Sequence, residues 1–125
     1  MTRRTTLMTA AVLGFSAVAI GAFGAHGLEG SVTADRLDTF EVGARYHMFH
    51  ALALLALAGF VERLGTAGKV AAVAFVVGTV IFAGSLYLLV LLDQGWLGAV
   101  TPFGGVTLMA GWIAVFVGAW RRETI

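Results

Sequence analysis

The chain has 125 residues, 59% of them hydrophobic and 12% charged, with a formal net charge of +1 and a mean hydropathy of +0.92. That balance leaves too little polar surface to cover a water-soluble core of this size, so lipid is the solvent for much of the molecule. The basic residues flank apolar runs and form no stripe, which excludes a nucleic-acid footprint, and the absence of cysteine excludes disulfides, thiolate metal sites and cysteine nucleophiles.

Arg3 and Arg4 precede an apolar stretch from about Leu7 to Leu28, the first expected transmembrane helix. A basic start, an apolar run and small residues near Ala22 to Ala25 also describe a secretory leader. The run is long for a leader, and a permanent span is the preferred reading. Gly14, Ala17, Gly21, Gly24 and Ala25 recur at helical spacing and make a groove for a neighbouring helix.

Residues 29–44 are the most polar part, with Asp35, Arg36, Asp38 and Glu41. Ser31 or Thr33 can cap a helix whose first turn holds Asp35, an acid well placed at the positive end of the helix dipole. Leu37, Phe40 and Ala44 form an apolar stripe opposite Asp38 and Glu41, so an amphipathic segment is expected over about 33–45, either in the interface or running on into helix two, with Gly43 as the place for a bend. Helix two is expected over about 46–64. Glu41 and Arg45, four apart, are expected to form an ion pair on the water side.

A tight polar turn at about 65–69 leads into helix three, about 70–92, where Ala71, Gly78 and Ser85 repeat every seven residues. Trp96 in the next turn is an interface anchor by type. Helix four is expected over about 102–120, with Thr101 as cap, Pro102 at the first helical position, and a seam of Gly104, Gly111 and Gly118. Arg3, Arg4, Arg63, Lys69, Arg121 and Arg122 fall on one side of a four-span arrangement, and only Arg36 and Arg45 fall on the other. Both termini are therefore expected in the cytoplasm, in a bacterial inner (plasma) membrane; in a mitochondrion the same side would be the matrix.

Four blocks then come together: Gly21-Ala-Phe-Gly-Ala-His-Gly-Leu28, the stretch from Phe40 to Leu55 with Tyr46 and His50, Phe82-Ala-Gly-Ser-Leu-Tyr-Leu88, and Thr101-Pro-Phe-Gly-Gly105 with Gly111-Trp112. In this order, over nearly the whole length, the chain resembles domain-of-unknown-function family 423, small bacterial inner-membrane proteins related to the eukaryotic transmembrane protein 256 family. The resemblance implies a four-helix integral membrane protein with a retained first helix. It supplies no chemistry and no catalytic residues. It draws attention to His26, Tyr46, His50, Ser85, Tyr87 and Pro102 as pattern positions, and less clearly to His47.

Three chemical readings compete with plain packing. His26, at the outer end of helix one, and His47 and His50, at the outer start of helix two, would reach one depth if the two helices pair, which suits a haem or a bound metal, three imidazoles fitting zinc, copper or iron. The ordinary role of His26 and His50 is a polar contact between those helices. Thr79, Ser85, Tyr87 and Thr107 offer hydroxyls for a proton or small-solute path, yet Ser85 and Tyr87, two apart, point to nearly opposite sides, and helices three and four hold no ionisable residue between Lys69 and Asp93 or between Asp93 and Arg121. No nucleophile elbow, phosphate loop, paired carboxylates or metalloprotease helix is present, so no enzyme activity is expected; quinone or lipid chemistry at the outer face stays open. The sequence thus favours an all-α, polytopic four-transmembrane-helix bundle of unknown function and without cofactor. Its expected role is that of a non-catalytic structural or accessory subunit of a membrane complex or homo-oligomer. The packing and polar contacts fall to Gly21, Gly24, His26, Tyr46, His50, Gly78, Ser85, Tyr87, Gly104 and Gly111.

Overall fold

The computed structural model describes residues 1–125. It holds four long helices, α1 (Arg3–Leu28), α2 (Ala34–Ala58), α3 (Gly65–Leu92) and α4 (Thr101–Trp120), with a short 3₁₀ turn, Gly95–Ala99, leading into α4. By length and composition α1, α3, and α4 taken with that turn can each cross a membrane. α2 is long enough, but its first half carries the acidic residues. The helices pack in chain order, α1 on α2, α2 on α3 and α3 on α4, and no substantial contact of α1 with α4 closes the ring.

The helix starts follow from local side chains. Thr2 and Thr5 form a reciprocal cap on α1, the Thr2 hydroxyl accepting from the Thr5 amide at 3.1 Å and the Thr5 hydroxyl accepting from the Thr2 amide at 2.8 Å. Thr33, one of the two expected caps, begins α2 by accepting from the Arg36 amide at 3.2 Å, with Asp35 in the first turn. α3 ends at Asp93, whose left-handed backbone (φ 50°) an Asp tolerates, and the Gln94 amide turns back to the Leu89 carbonyl at 3.1 Å.

Four expectations need correction. The amphipathic segment runs on into helix two, one of the two arrangements expected, and the single helix that results, α2, ends at Ala58 rather than about residue 64. Gly43 does not interrupt it. A Cβ there would lie 3.0 Å from the Tyr87 ring and 3.3 Å from Leu86 Cβ, so this glycine allows α2 and α3 to approach closely. The connection to α3 is the turn at residues 59–64, with Val61 and Leu64 buried, and α3 already begins at Gly65. That turn folds onto Gly68, where any Cβ would collide with the Val61 carbonyl. Finally, Thr101 does not cap α4: Val100 holds the cap position, and the Thr101 hydroxyl is turned to the Ser85 hydroxyl at 2.6 Å.

The α3–α4 interface is the tightest in the molecule. A Cβ on Gly104 would meet the Phe82 backbone, on Gly78 the Leu108 side chain at 2.7 Å, and on Gly111 the Phe75 ring at 2.7 Å. Small residues here let two backbones touch, the usual device where no water drives helices together. α1 contains a π-helical segment, Ala19–Gly24, whose Gly21 and Gly24 face Ala44 and the Phe40 ring of α2. Two apolar clusters result. One, at the end holding both termini, contains Ala10, Leu54, Val61, Phe75 and Leu108. The other, at the end holding the Asp93 turn, contains Phe40, Ala83, Tyr87, Val90 and Leu97.

Candidate functional site

Because α2 runs from Ala34 to Ala58, His47 and His50 lie near its middle and not at its start. Both rings are buried, each 6% exposed. Their partners come from all three other helices, and each imidazole nitrogen has one.

His50 Nδ1 lies 2.8 Å from the Tyr46 carbonyl. A carbonyl only accepts, so Nδ1 carries the proton, and Nε2 accepts from the Trp112 indole N–H of α4 at 3.1 Å. His50 is thereby a neutral ring that ties α2 to α4. Phe75 and Trp112 set their rings edge-on or tilted against it, with centroids 5.5 and 6.0 Å away, while Tyr46 stacks on its other side.

His47, one turn away, ties α1 to α3. Its Nε2 is 3.0 Å from the Ser16 hydroxyl and its Nδ1 is 3.0 Å from the Tyr87 hydroxyl. The Ser16 hydroxyl donates to the Leu13 carbonyl at 3.0 Å, so its oxygen accepts from Nε2–H and the Tyr87 O–H donates to Nδ1. The two histidines therefore carry their protons on opposite nitrogens. Each deletes the need for an unpaired polar group in lipid, where such a group costs several kcal/mol (about 2–7 by transfer estimates).

A cavity of about 230 Å³ opens beside His47, between α1 and α3. Leu13, Val80, Ala83 and Gly84 form its apolar walls, and Ser16, His47, Thr79 and Tyr87 its polar side. Thr79 is 3% exposed, and its hydroxyl has no hydrogen-bond partner.

The other expected site residues are separate. His26 lies at the exposed end of α1, its side chain 87% accessible and 3.8 Å from Glu29. It does not join His47 and His50, no group of three His, Cys, Asp or Glu side chains is arranged to hold a metal, and the expected His26–His50 contact is not formed. The reason is the length of α2: His26 sits opposite its first turns, about two turns or more from the histidines. Glu41 and Arg45 are exposed and not within ion-pair distance of each other; the pairs that form are His26–Glu29 and, at 3.5 Å, Arg36–Asp93. Ser85 and Tyr87 do diverge, Ser85 to Thr101 on α4 and Tyr87 to His47 on α2. Thr107 is half-buried and bonds back to the Phe103 carbonyl at 2.7 Å. Sequence reasoning missed Ser16 and Trp112 as partners. Ser16 is the one hydroxyl between Ala10 and Ala25, and a lone polar group in an apolar span needs a partner across the bundle.

A bundle of apolar helices with a neutral hydrogen-bonded network at mid-length defines an integral membrane protein of the polytopic α-helical class. Comparison with known proteins narrows the class. The family described as "Protein of unknown function (DUF423)" matches residues 20–105. The chain is 40% identical over 115 residues to the UPF0382 membrane protein YwdK of Bacillus subtilis (strain 168), covering 90% of this chain and 94% of that one. It is 43% identical over 124 residues to the UPF0382 inner membrane protein YgdD of Escherichia coli (strain K12), covering 98% and 95%, and 34% identical over 119 residues to a UPF0382 membrane protein of Haemophilus influenzae. The chain belongs to this family of membrane proteins of unknown function. No solved structure matches it.

Proposed function

We propose that the chain is a non-catalytic, self-associating subunit of a membrane assembly in the bacterial inner membrane, with four spans and both termini in the cytoplasm. The observation that carries this reading is the exposed face of α2, on which Asp38, Glu41 and Arg45 follow one another at helical spacing and continue into exposed Phe49 and Leu52. By the helical rise, Arg45 lies about 16 Å from the start of α2, and Glu41 about 10 Å. Those depths are inside the hydrocarbon layer if α2 spans it. A charge facing lipid there costs about 2.5–3.5 kcal/mol, and such residues ordinarily face protein or water.

A second copy supplies the cover. In a parallel pair related by a two-fold axis along the membrane normal, Glu41 of each copy faces Arg45 of the other, one helical turn away and within reach of both long side chains. The pairing satisfies both charges twice. The basic residues near Arg3, Arg63, Lys69 and Arg121 support the cytoplasmic placement of that end.

Charge reversal tests the pairing. In nanodiscs or native-membrane particles sized by native mass spectrometry, the wild-type chain is expected as a dimer or larger. Glu41→Arg and Arg45→Glu are each expected to dissociate it, and the double reversal to restore it. A wild-type monomer with no bound partner would refute the subunit reading. Retention of a different protein, insensitive to both reversals, would refute self-association.

A further inference from the structure

We propose that the basic end of the α3–α4 groove binds one anionic phospholipid, with its phosphodiester head on Arg121 and Arg122 and an acyl chain laid along α3. The inference does not depend on self-association.

Charge comes first. Arg121 and Arg122, just past the end of α4, and Thr66, in the first turn of α3, line a cavity of about 340 Å³. Both arginines are exposed, and neither stands within ion-pair distance of an acid; the two pairs that form lie elsewhere. A Cβ on Gly65 would collide with the Arg122 guanidinium. This glycine therefore leaves the group room to lie over the start of α3, whose first turn holds no acid to answer it. Two guanidiniums at one cavity suit a phosphate, which accepts from their forked N–H groups, and the Thr66 hydroxyl adds a donor. No Asp or Glu lines the cavity, so an ammonium head group finds no partner there. A net-negative lipid is thereby favoured over a zwitterionic one.

The tail comes second. A shallow groove of about 430 Å³ shares Thr66 with that cavity and continues along α3 past Lys69, Val70 and Val73 to Val77. Lys69 is a third exposed cation at the head end, and beyond it the α3 wall is apolar. Thr107 borders the groove from α4, and its hydroxyl donates to the Phe103 carbonyl, so it offers the tail no free proton. From Thr66 to Val77 the helical rise gives about 16 Å, half of a hydrocarbon layer about 30 Å thick. The groove thus runs the depth of one leaflet.

Depth comes third. Trp120, exposed and stacked on Phe116, directly precedes Arg121 and is the type of anchor that meets the head-group layer. Cations at the surface and an apolar wall leading inward follow the order of a phospholipid's own parts, and basic pockets between membrane helices hold anionic heads in this way. A free phosphate would use only the first of the two cavities.

The test uses the full chain, stripped of lipid in mild detergent and titrated with phosphatidylglycerol or with phosphatidylethanolamine of the same acyl chains, the bound lipid being counted by native mass spectrometry. One phosphatidylglycerol per chain is expected, bound at least tenfold more tightly than phosphatidylethanolamine. Arg121→Gln combined with Arg122→Gln should weaken it at least tenfold, and Lys69→Gln about fivefold, the effect of one basic residue at a charged head-group layer. Arg3→Gln combined with Arg4→Gln removes the same charge from the same end of the molecule without touching either cavity, and should leave binding unchanged. All these side chains are exposed, so each variant should keep wild-type helix content. Equal binding of the two lipids would overturn the proposal, as would wild-type binding by the Arg121 and Arg122 double variant. An equal loss in the Arg3 and Arg4 double variant would reduce the effect to net charge and overturn the site. Displacement of the lipid by inorganic phosphate alone would assign the cavity to a free anion instead.

Discussion

Gly104→Ala tests the closest helix contact in the fold. The added Cβ would lie 2.7 Å from Phe82 Cα and 2.8 Å from Phe82 Cβ, and closer still to the Phe82 amide nitrogen. Carbon atoms rest about 3.5–4.0 Å apart, so α3 and α4 must separate locally by about 1 Å along a face that also holds Gly78 and Gly111. Backbone cannot rotate away as a side chain can. Overpacking of this kind costs about 1–3 kcal/mol, and the upper end applies because the obstruction is main chain. Gly84→Ala, on α3 but facing open space away from α4, has no such clash and gains about 0.5–1 kcal/mol of helix propensity. The two alanines should therefore differ by about 3 kcal/mol, roughly a hundredfold in the folding equilibrium. Unfolding by titration with a denaturing detergent, followed by far-ultraviolet circular dichroism, measures the difference. Equal midpoints for the two variants would refute the described approach of Gly104 to Phe82.

The His50 to Trp112 hydrogen bond should appear as a coupling energy. Trp112→Phe is expected to cost about 1–3 kcal/mol because it leaves the buried His50 Nε2 unpaired, and His50→Leu also destabilises by removing the partner of the half-exposed Trp112 indole N–H, while the double variant should cost less than the sum of the two by about 1 kcal/mol; strict additivity in the same detergent titration would exclude the bond. Reporter fusions at Gly65 and at the C-terminus should both read as cytoplasmic, and a periplasmic signal from either would overturn the proposed topology.

The helices were legible in the sequence because apolar runs of bilayer length admit few alternatives, and the resemblance to the family rested on blocks the helices now hold together. The histidine site was half legible. The residue types at 47 and 50 announced a polar requirement, but placing them depended on where α2 begins, and the acidic residues 35–41 suggested an interfacial segment where the chain has a continuous helix. Once α2 starts at Ala34, both histidines move to mid-length, and His26 falls out of reach. The partners Ser16 and Trp112 depend on which helix faces meet, a property of three-dimensional packing that one chain's periodicity does not contain. The orphaned Thr79 hydroxyl is likewise visible only when its surroundings are known.

The serial packing has a consequence for how the molecule is made. Each helix finds its main partner in the helix next to it along the chain. Contacts of short sequence separation form without closing long loops. α1 and α2 can settle while α3 is still being synthesised, and α4 then adds to a face that α3 already presents. Among the side-chain hydrogen bonds between helices, the Trp112 to His50 bond alone reaches past a neighbouring helix. It is the last latch of an assembly that otherwise proceeds in the order of translation, and it reports when the final helix has docked.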